Sequence, residues 1–147
     1  MSRDLAKLNN VDHAGLRVVT EFGAQWGDDQ MTCLVQTVEM RALQSTYPIV
    51  FQLTADAEHP LPVALMGFEP GENLFLSGTT WREPVIPMMM RKGPFYIASE
   101  RGQHGETQSV IAIDQAHPKA ATSGGEPLFL EQGGHSPYLE NIVQLLE

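Results

Sequence analysis

The sequence predicts an α+β fold: an antiparallel sheet of about five to seven short strands with two or three packed helices, in a single domain. Three observations lead to this prediction. The length of 147 residues suits one domain. Short apolar runs rich in branched and aromatic residues alternate with Pro and Gly turns, which favours antiparallel pairing. A few segments instead place their apolar residues at helical spacing.

The first third of the chain is predicted to open loosely and then to form two strands and a helix. Residues 1–15 are polar and are interpreted as a weakly ordered lead-in to a domain over 16–147. Apolar residues predict strands at 16–22 and 31–36, separated by a loop at 24–30. The spacing over 38–47 is helical, and Pro48 prevents that helix from continuing.

The middle of the chain holds the clearest strand signals. Residues 49–53 are the strongest strand candidate, and 61–68 is the next, with Pro62 near its start where a missing N–H does least harm. Pro70-Gly71 predicts a turn before a strand at 73–76. The segment 82–92 is predicted to be a short helix with two prolines in its first turn and Gly93 after its end.

Two more strands and a last helix are expected towards the end of the chain. Residues 95–98 and 109–113 are predicted strands, and 128–130 is a third, short candidate. Ser136 is a favoured N-cap residue and Pro137 suits the first helical position, so a helix is expected from there onward. This helix is still within its apolar stripe where the sequence ends at Glu147. We interpret this ending either as that of a fragment of a longer protein or as a helix completed by a partner subunit.

Composition narrows the classes of partner. The net charge is −9, from 18 acidic and 9 basic residues, which disfavours nucleic acid and anionic membrane surfaces. The apolar runs are too short for membrane insertion. Residues 1–8 contain no secretory h-region, so a cytoplasmic location is expected. Cys33 is the one cysteine, and a buried structural thiol is the preferred interpretation over a catalytic one.

The blocks that carry a family resemblance are 47–51, 62–68, 71–76, Trp81, 85–87, Arg91 with 94–95, 113–114, 128–129 and 136–139. In this order along the chain, they resemble the SapC-like family. The likeness begins near Asp12, and the ordered set of blocks is specific although no single block is. The resemblance implies a bacterial protein in a surface-layer or uptake setting, beside genes for outer-membrane receptors, flavin-dependent halogenases and cupin-like proteins. It implies no reaction and no catalytic residue. It also implies a chain that continues past Glu147.

Two groups of residues are candidates for a ligand site or an interface, and both have ordinary structural alternatives. The apolar candidates either line a pocket or form core. They are Trp26, Trp81, Tyr96 and the triplet Met88, Met89 and Met90. Because three consecutive methionines cannot share one helix face, one of them is expected to point outward.

The polar candidates are Asp114 with His117, and His135 beside two glycines. All five histidines are interpreted first as solvated loop residues, because none has zinc-site spacing. No hydrolase elbow or phosphate loop is present, and no cofactor, metal site or catalytic residue is predicted.

The sequence therefore predicts a non-enzymatic binding or accessory protein. Its expected partner is another protein or a second copy of the chain, and a small-molecule ligand stays open. One alternative is an enzyme that modifies small molecules or peptides, or the partner of a halogenase or cupin-like oxygenase, which requires a pocket with converging polar groups. Another is a structural homodimer subunit built through the methionine-rich and C-terminal helices.

Overall fold

The structure, a computed structural model, describes residues 3–55, 58–102 and 105–147. In this part of the chain every strand pairing is antiparallel, so the predicted α+β class with antiparallel sheets is confirmed. The strands are β1 Leu5–Lys7, β2 Arg17–Val18, β3 Thr32–Leu34, β4 Ile49–Gln52, β5 Leu61–Leu65, β6 Leu76–Ser77, β7 Thr80–Trp81, β8 Phe95–Arg101, β9 Thr107–Asp114, β10 Ala120–Ala121 and β11 Glu126–Pro127. The helices are α1 Met40–Leu43, α2 Met88–Arg91 and α3 Pro137–Leu146.

The expected sheet of five to seven strands is wrong in layout. The described strands form three three-stranded sheets, ordered β1-β9-β8, β10-β2-β11 and β3-β5-β4, and one two-stranded hairpin, β6-β7. Several strands are only two residues long.

Contacts divide the chain into two compact units. The first unit comprises Met1–Thr20 and Lys92–Glu147, and the second comprises Glu21–Arg91. Each has its own apolar core. The single domain over 16–147 stays a prediction.

The first unit contains the sheets β1-β9-β8 and β10-β2-β11, with α3 packed against β8. The predicted start of α3 is confirmed: Ser136 caps the helix, its Oγ accepting the N–H of Leu139 at 3.1 Å, and Pro137 is the first helical residue. Leu139 and Ile142 on the inner face of the helix join the core of this unit. The core residues are Val18, Phe95, Ile113, Leu128, Phe129, Leu139 and Ile142.

The strand β1 was not predicted, because residues 1–15 were interpreted as a weakly ordered lead-in. Leu5–Lys7 pair with β9 in the register Leu5 to Asp114. The Asp4 N–H donates to Oδ1 of Asp114 at 2.9 Å, and the Gln115 N–H donates to the Asp4 carbonyl at 2.9 Å. The partners of this polar segment lie more than a hundred residues away, where local periodicity gives no signal.

The second unit contains the sheet β3-β5-β4, the hairpin β6-β7 and the two short helices. Its core gathers Cys33, which is buried as predicted, with Leu43, Met66 and other apolar residues. The ring of Phe75 lies 4.5 Å from that of Tyr47 and 6.3 Å from that of Trp81, measured between centroids. An aromatic cluster therefore forms part of this core.

Several predicted elements are shorter or displaced, for local reasons. The helix expected over 82–92 begins only at Met88, because prolines occupy positions 84 and 87. The strand expected at 73–76 is replaced at its start by a turn, since Asn73 Oδ1 accepts the Phe75 N–H at 3.0 Å. The helix expected over 38–47 is confined to Met40–Leu43. The strand expected at 16–22 shrinks to Arg17–Val18 and that at 95–98 extends to Arg101.

Candidate functional site

The strand β4 lies at one edge of its sheet and carries exposed apolar side chains. Phe51 is 64% exposed and Leu53, just after the strand, is 79% exposed. No charged residue occurs from Pro48 to Ala55. Natural edge strands are usually protected by charged side chains, by prolines or by bulges. Beyond Pro48 at its start, β4 has none of these, so we call its outer side the open edge.

The pairing with β5 fixes which backbone groups face this open edge. The Leu65 N–H donates to the Pro48 carbonyl at 2.9 Å, and Ile49 and Val50 stand opposite Ala64 and Val63. Hydrogen-bonded pairs alternate along an antiparallel ladder. Val50 therefore directs its N–H and C=O towards β5, whereas Ile49 and Phe51 direct theirs outward.

A buried tyrosine anchors the beginning of β4. The Tyr47 hydroxyl donates to the Val85 carbonyl at 2.5 Å and accepts the Trp81 Nε1–H at 2.8 Å. Burial is the largest influence on this phenol, and it raises the pKa of Tyr47 above its usual value. Ile49 packs against the same core. Contacts with the core therefore hold the beginning of the open edge in place.

The first unit contains a groove of about 420 Å³. Apolar side chains from β9, α3 and the neighbouring loops line it, among them Leu8, Ile111, Phe129 and Leu139. Lys7 and His135 add polar groups to its lining. This volume lies within the usual range of about 300–1,000 Å³ for small-molecule pockets.

The predicted apolar candidates of the second unit belong largely to its core. Trp81 and Met90 are buried, and Met89 packs against them. Met88 is half-buried, and its N–H donates to Oε2 of Glu39 at 2.8 Å. Trp26 ends a short 3-10 turn, and its Nε1 is buried with no hydrogen-bond partner among the described residues.

The remaining predicted site residues lie in the first unit. The Lys92 Nζ stands 3.5 Å from the centroid of the Tyr96 ring, a cation–π contact. Asp114 is buried, and its Oδ1 accepts the Ala116 N–H at 3.1 Å in addition to that of Asp4. His117 follows in the same turn, and its Nδ1 accepts the Lys119 N–H at 3.1 Å. Both side chains therefore support the local backbone, and a ligand role for either stays a prediction.

The histidines are not alike. His135 is exposed beside the Phe129 ring and lines the groove, and His59 is exposed in a loop. His13 departs from the solvated interpretation, since it is buried and bonded through Nδ1 to the Asn9 N–H at 3.2 Å. His104 lies outside the described residues. Within the three described ranges, no group of three His, Cys, Asp or Glu side chains is placed to hold a metal ion.

Sequence reasoning missed the open edge as a site, although it identified the strand. The available signal was the uncharged run from Pro48 to Ala55, which leaves β4 unprotected if it is an edge strand. Only the sheet order places it at the edge. Among the helices that the structure describes, none has the length and apolar character needed to cross a bilayer.

Comparisons with known proteins give one result. A family model described as SapC matches residues 8–147. No curated protein matches the chain, and no solved structure does.

Proposed function

Because the chain belongs to the SapC family, we propose that it is a non-enzymatic accessory protein that binds a protein partner in a bacterial surface-layer or uptake setting. The paired strands β4 and β5 of the second unit, here called the apolar hairpin, carry this proposal. Val50, Phe51, Leu53 and Leu61, from β4, its following loop and β5, are each at least 38% exposed. Aromatic residues, including Phe, are enriched at protein interfaces, and a few residues there supply most of the binding energy, so Phe51 is the expected anchor of this group.

Charge and shape both support a protein partner. The net charge of −9 opposes self-association through the exposed apolar hairpin. The hairpin projects side chains from a regular sheet, which suits an extended contact. Tyr47 and the aromatic cluster hold its base in place, so little ordering is needed on binding.

Affinity capture from the native bacterial host tests the proposal. The wild-type chain is expected to retain a specific protein, and Phe51→Lys is expected to lose it by at least tenfold. Val38→Lys is the matched control, because Val38 is 80% exposed in the same unit and receives the same charge. The retained protein is then purified and titrated against all three chains. Equal retention by Phe51→Lys and by wild type would refute a role for the hairpin.

The groove of the first unit supports a second candidate function, the binding of a small molecule with an apolar body and one anionic group. Apolar side chains make up much of its lining, and Lys7 is among the lining residues. The Lys7 ammonium pairs with the Glu100 carboxylate, and because an ammonium has three N–H donors it can also donate to another anion. Such a ligand would add a charge-assisted hydrogen bond to the apolar contact.

Two fluorescent compounds with similar apolar bodies test this candidate: anionic anilinonaphthalene sulfonate and neutral N-phenyl-1-naphthylamine. We expect Lys7→Met to weaken binding of the anion about tenfold and to leave the neutral compound unchanged. Arg101→Met is the control, since Arg101 is exposed in the same unit outside the groove lining. All chains carry Phe51→Lys, which removes binding at the hairpin. Equal affinity for both compounds in every variant excludes the candidate.

A further inference from the structure

We propose that the partner binds by strand addition: it contributes an extended segment that pairs with the open edge of β4 and becomes the fourth strand of the sheet β3-β5-β4. This inference rests on the proposed function and specifies its geometry. Peptide segments commonly dock in this way on exposed sheet edges, with backbone hydrogen bonds supplying affinity and alternate side chains supplying specificity.

The backbone of β4 presents the groups that such pairing needs. Because Val50 pairs with Val63 on the inner side, the N–H and C=O groups of Ile49 and Phe51 point outward. Pro62 stands opposite Phe51 in a pair that is not hydrogen-bonded, so its missing N–H leaves β4 intact. Its carbonyl instead accepts the Val35 N–H at 2.9 Å on the β3 side. The missing N–H of Pro62 therefore falls on the β3 side of β5 and does not interrupt the pairing with β4.

The side chains select the kind of segment. Phe51 lies on the same face as Ile49, which packs against the core, but Phe51 itself is 64% exposed. An added strand that places apolar residues on this face would cover Phe51 and extend the core outward. The incoming segment should therefore be apolar at alternate positions.

Charge favours a basic partner over a second copy of this chain. The second unit contains nine acidic and three basic residues, which gives it a net charge of −6. Two copies would bring these like charges together, whereas lysine or arginine at the remaining positions of a segment would be attracted. The occupant is therefore an extended segment of another protein that alternates apolar and basic residues.

A synthetic ten-residue peptide that alternates valine with lysine tests the geometry, with binding measured by calorimetry. Two further peptides carry backbone N-methyl groups, one on every valine and the other on every lysine. In an added strand only one of these sets directs its N–H groups towards β4. One methylated peptide is therefore expected to lose at least tenfold in affinity while the other binds like the parent peptide. The peptide that fails also reveals whether the segment runs parallel or antiparallel.

Two variants of the chain separate the backbone from the side chain. Phe51→Ala keeps the outward N–H and removes the ring, whereas Phe51→Pro removes both. We expect Phe51→Pro to bind the parent peptide at least fivefold more weakly than Phe51→Ala. Circular dichroism confirms that both variants are folded before they are compared.

Three outcomes overturn strand addition: no binding of the parent peptide, equal loss for both methylated peptides, or equal binding by Phe51→Pro and Phe51→Ala. If sedimentation shows that the wild type is a dimer and Phe51→Pro a monomer, the occupant is a second copy and the proposed segment is wrong. These failures differ from failure of the proposed function. A host protein that is retained by the wild type and lost by Phe51→Lys would leave the function standing even when the peptide tests exclude strand addition.

Discussion

Two sheets of this protein have the same number of strands and the same antiparallel pairing, yet their edges differ. In the first unit, the edge strand β8 ends in Glu100 and Arg101, and the other edge strand, β1, has three residues and ends in Lys7. In the second unit, the edge strand β4 is uncharged, with exposed apolar side chains. Charge and short length are the usual protections against unwanted pairing. We call the sheet of the first unit, with these charged edges, the closed sheet. The difference supports the proposal that the sheet of the second unit accepts a further strand.

The largest expected effect tests which backbone groups of β4 face outward. Val50→Pro removes an N–H that pairs with β5 and leaves the buried Val63 carbonyl without that partner, so we expect a loss of about 2–3 kcal/mol in the free energy of unfolding. Phe51→Pro removes an outward N–H, and we expect a loss of about 1 kcal/mol or less. Urea unfolding of both variants measures the difference. Similar losses would show that the assignment of inward and outward groups is incorrect.

A second prediction concerns stability at alkaline pH and the helix α3, which packs against β8 of the closed sheet. Burial, with a smaller contribution from Glu126, raises the pKa of Tyr138 well above its usual value. Above about pH 10 the unfolded chain therefore loses the phenol proton while the folded chain retains it, and stability falls as the pH rises. Tyr138→Phe removes this contribution, which reaches at most about 1.4 kcal/mol at pH 11.

Thermal melts of the wild type and Tyr138→Phe between pH 7 and pH 11 provide the measurement. The difference in melting temperature between the two proteins should stay constant up to about pH 9, and above that pH the variant should become the more stable relative to the wild type. Tyr47, whose pKa is also raised by burial, is present in both chains and cancels in the comparison. A difference that does not vary with pH would contradict the burial of Tyr138.

The N-cap of the same helix gives the next effect in size. The Ser136 Oγ accepts the Leu139 N–H at 3.1 Å in a buried position. Ser136→Ala is therefore expected to lower the free energy of unfolding by about 1 kcal/mol. Ser123→Ala, at an exposed loop position, is the control and should change it little. A Ser136→Ala variant as stable as the control would show that the cap contributes nothing.

The smallest effect concerns the charges of the closed sheet. Lys7 and Glu100 form an ion pair whose side chains are 57% and 48% exposed. Exposed pairs contribute little, so Glu100→Gln should change the free energy of unfolding by about 0.5 kcal/mol or less, and salt should reduce even that. Urea titrations at low and high salt measure it. A much larger loss would give these charges a structural role beyond protecting the edge.

Prediction from sequence succeeded where the signal is local. Ser136 and Pro137 identify the start of α3 because a cap depends on residues three positions apart. The strand at 49–53 was found for a similar reason, since it depends on composition and bounding turns. The helix over 38–47 was overestimated, because apolar spacing indicates a face and not the length over which the backbone remains helical.

Prediction was less complete for the candidate sites, because these depend on residues that are distant in sequence. From the sequence alone, Trp81 and Met90 fit a packed core and a pocket lining equally well. The structure packs both side chains into the core of the second unit. His135 was selected for its glycine neighbours, but it lines the groove because β1 and β9 bring Lys7 and Ile111 close to it. The open edge depends on the order of strands, which no window of sequence contains.

The sequence by itself determined the α+β class, the antiparallel pairing of short strands, the capped last helix and an uncharged apolar run at 48–55. These properties follow from side-chain spacing, turn residues and charge, which act over a few residues. Only the tertiary structure decided that the strands of the described residues form four small sheets, that Leu5–Lys7 join β9, and that β4 stands at an edge. The physical reason is that strand order is set by hydrogen bonds and packing between distant segments, so the same apolar run can be an inner strand or an open edge.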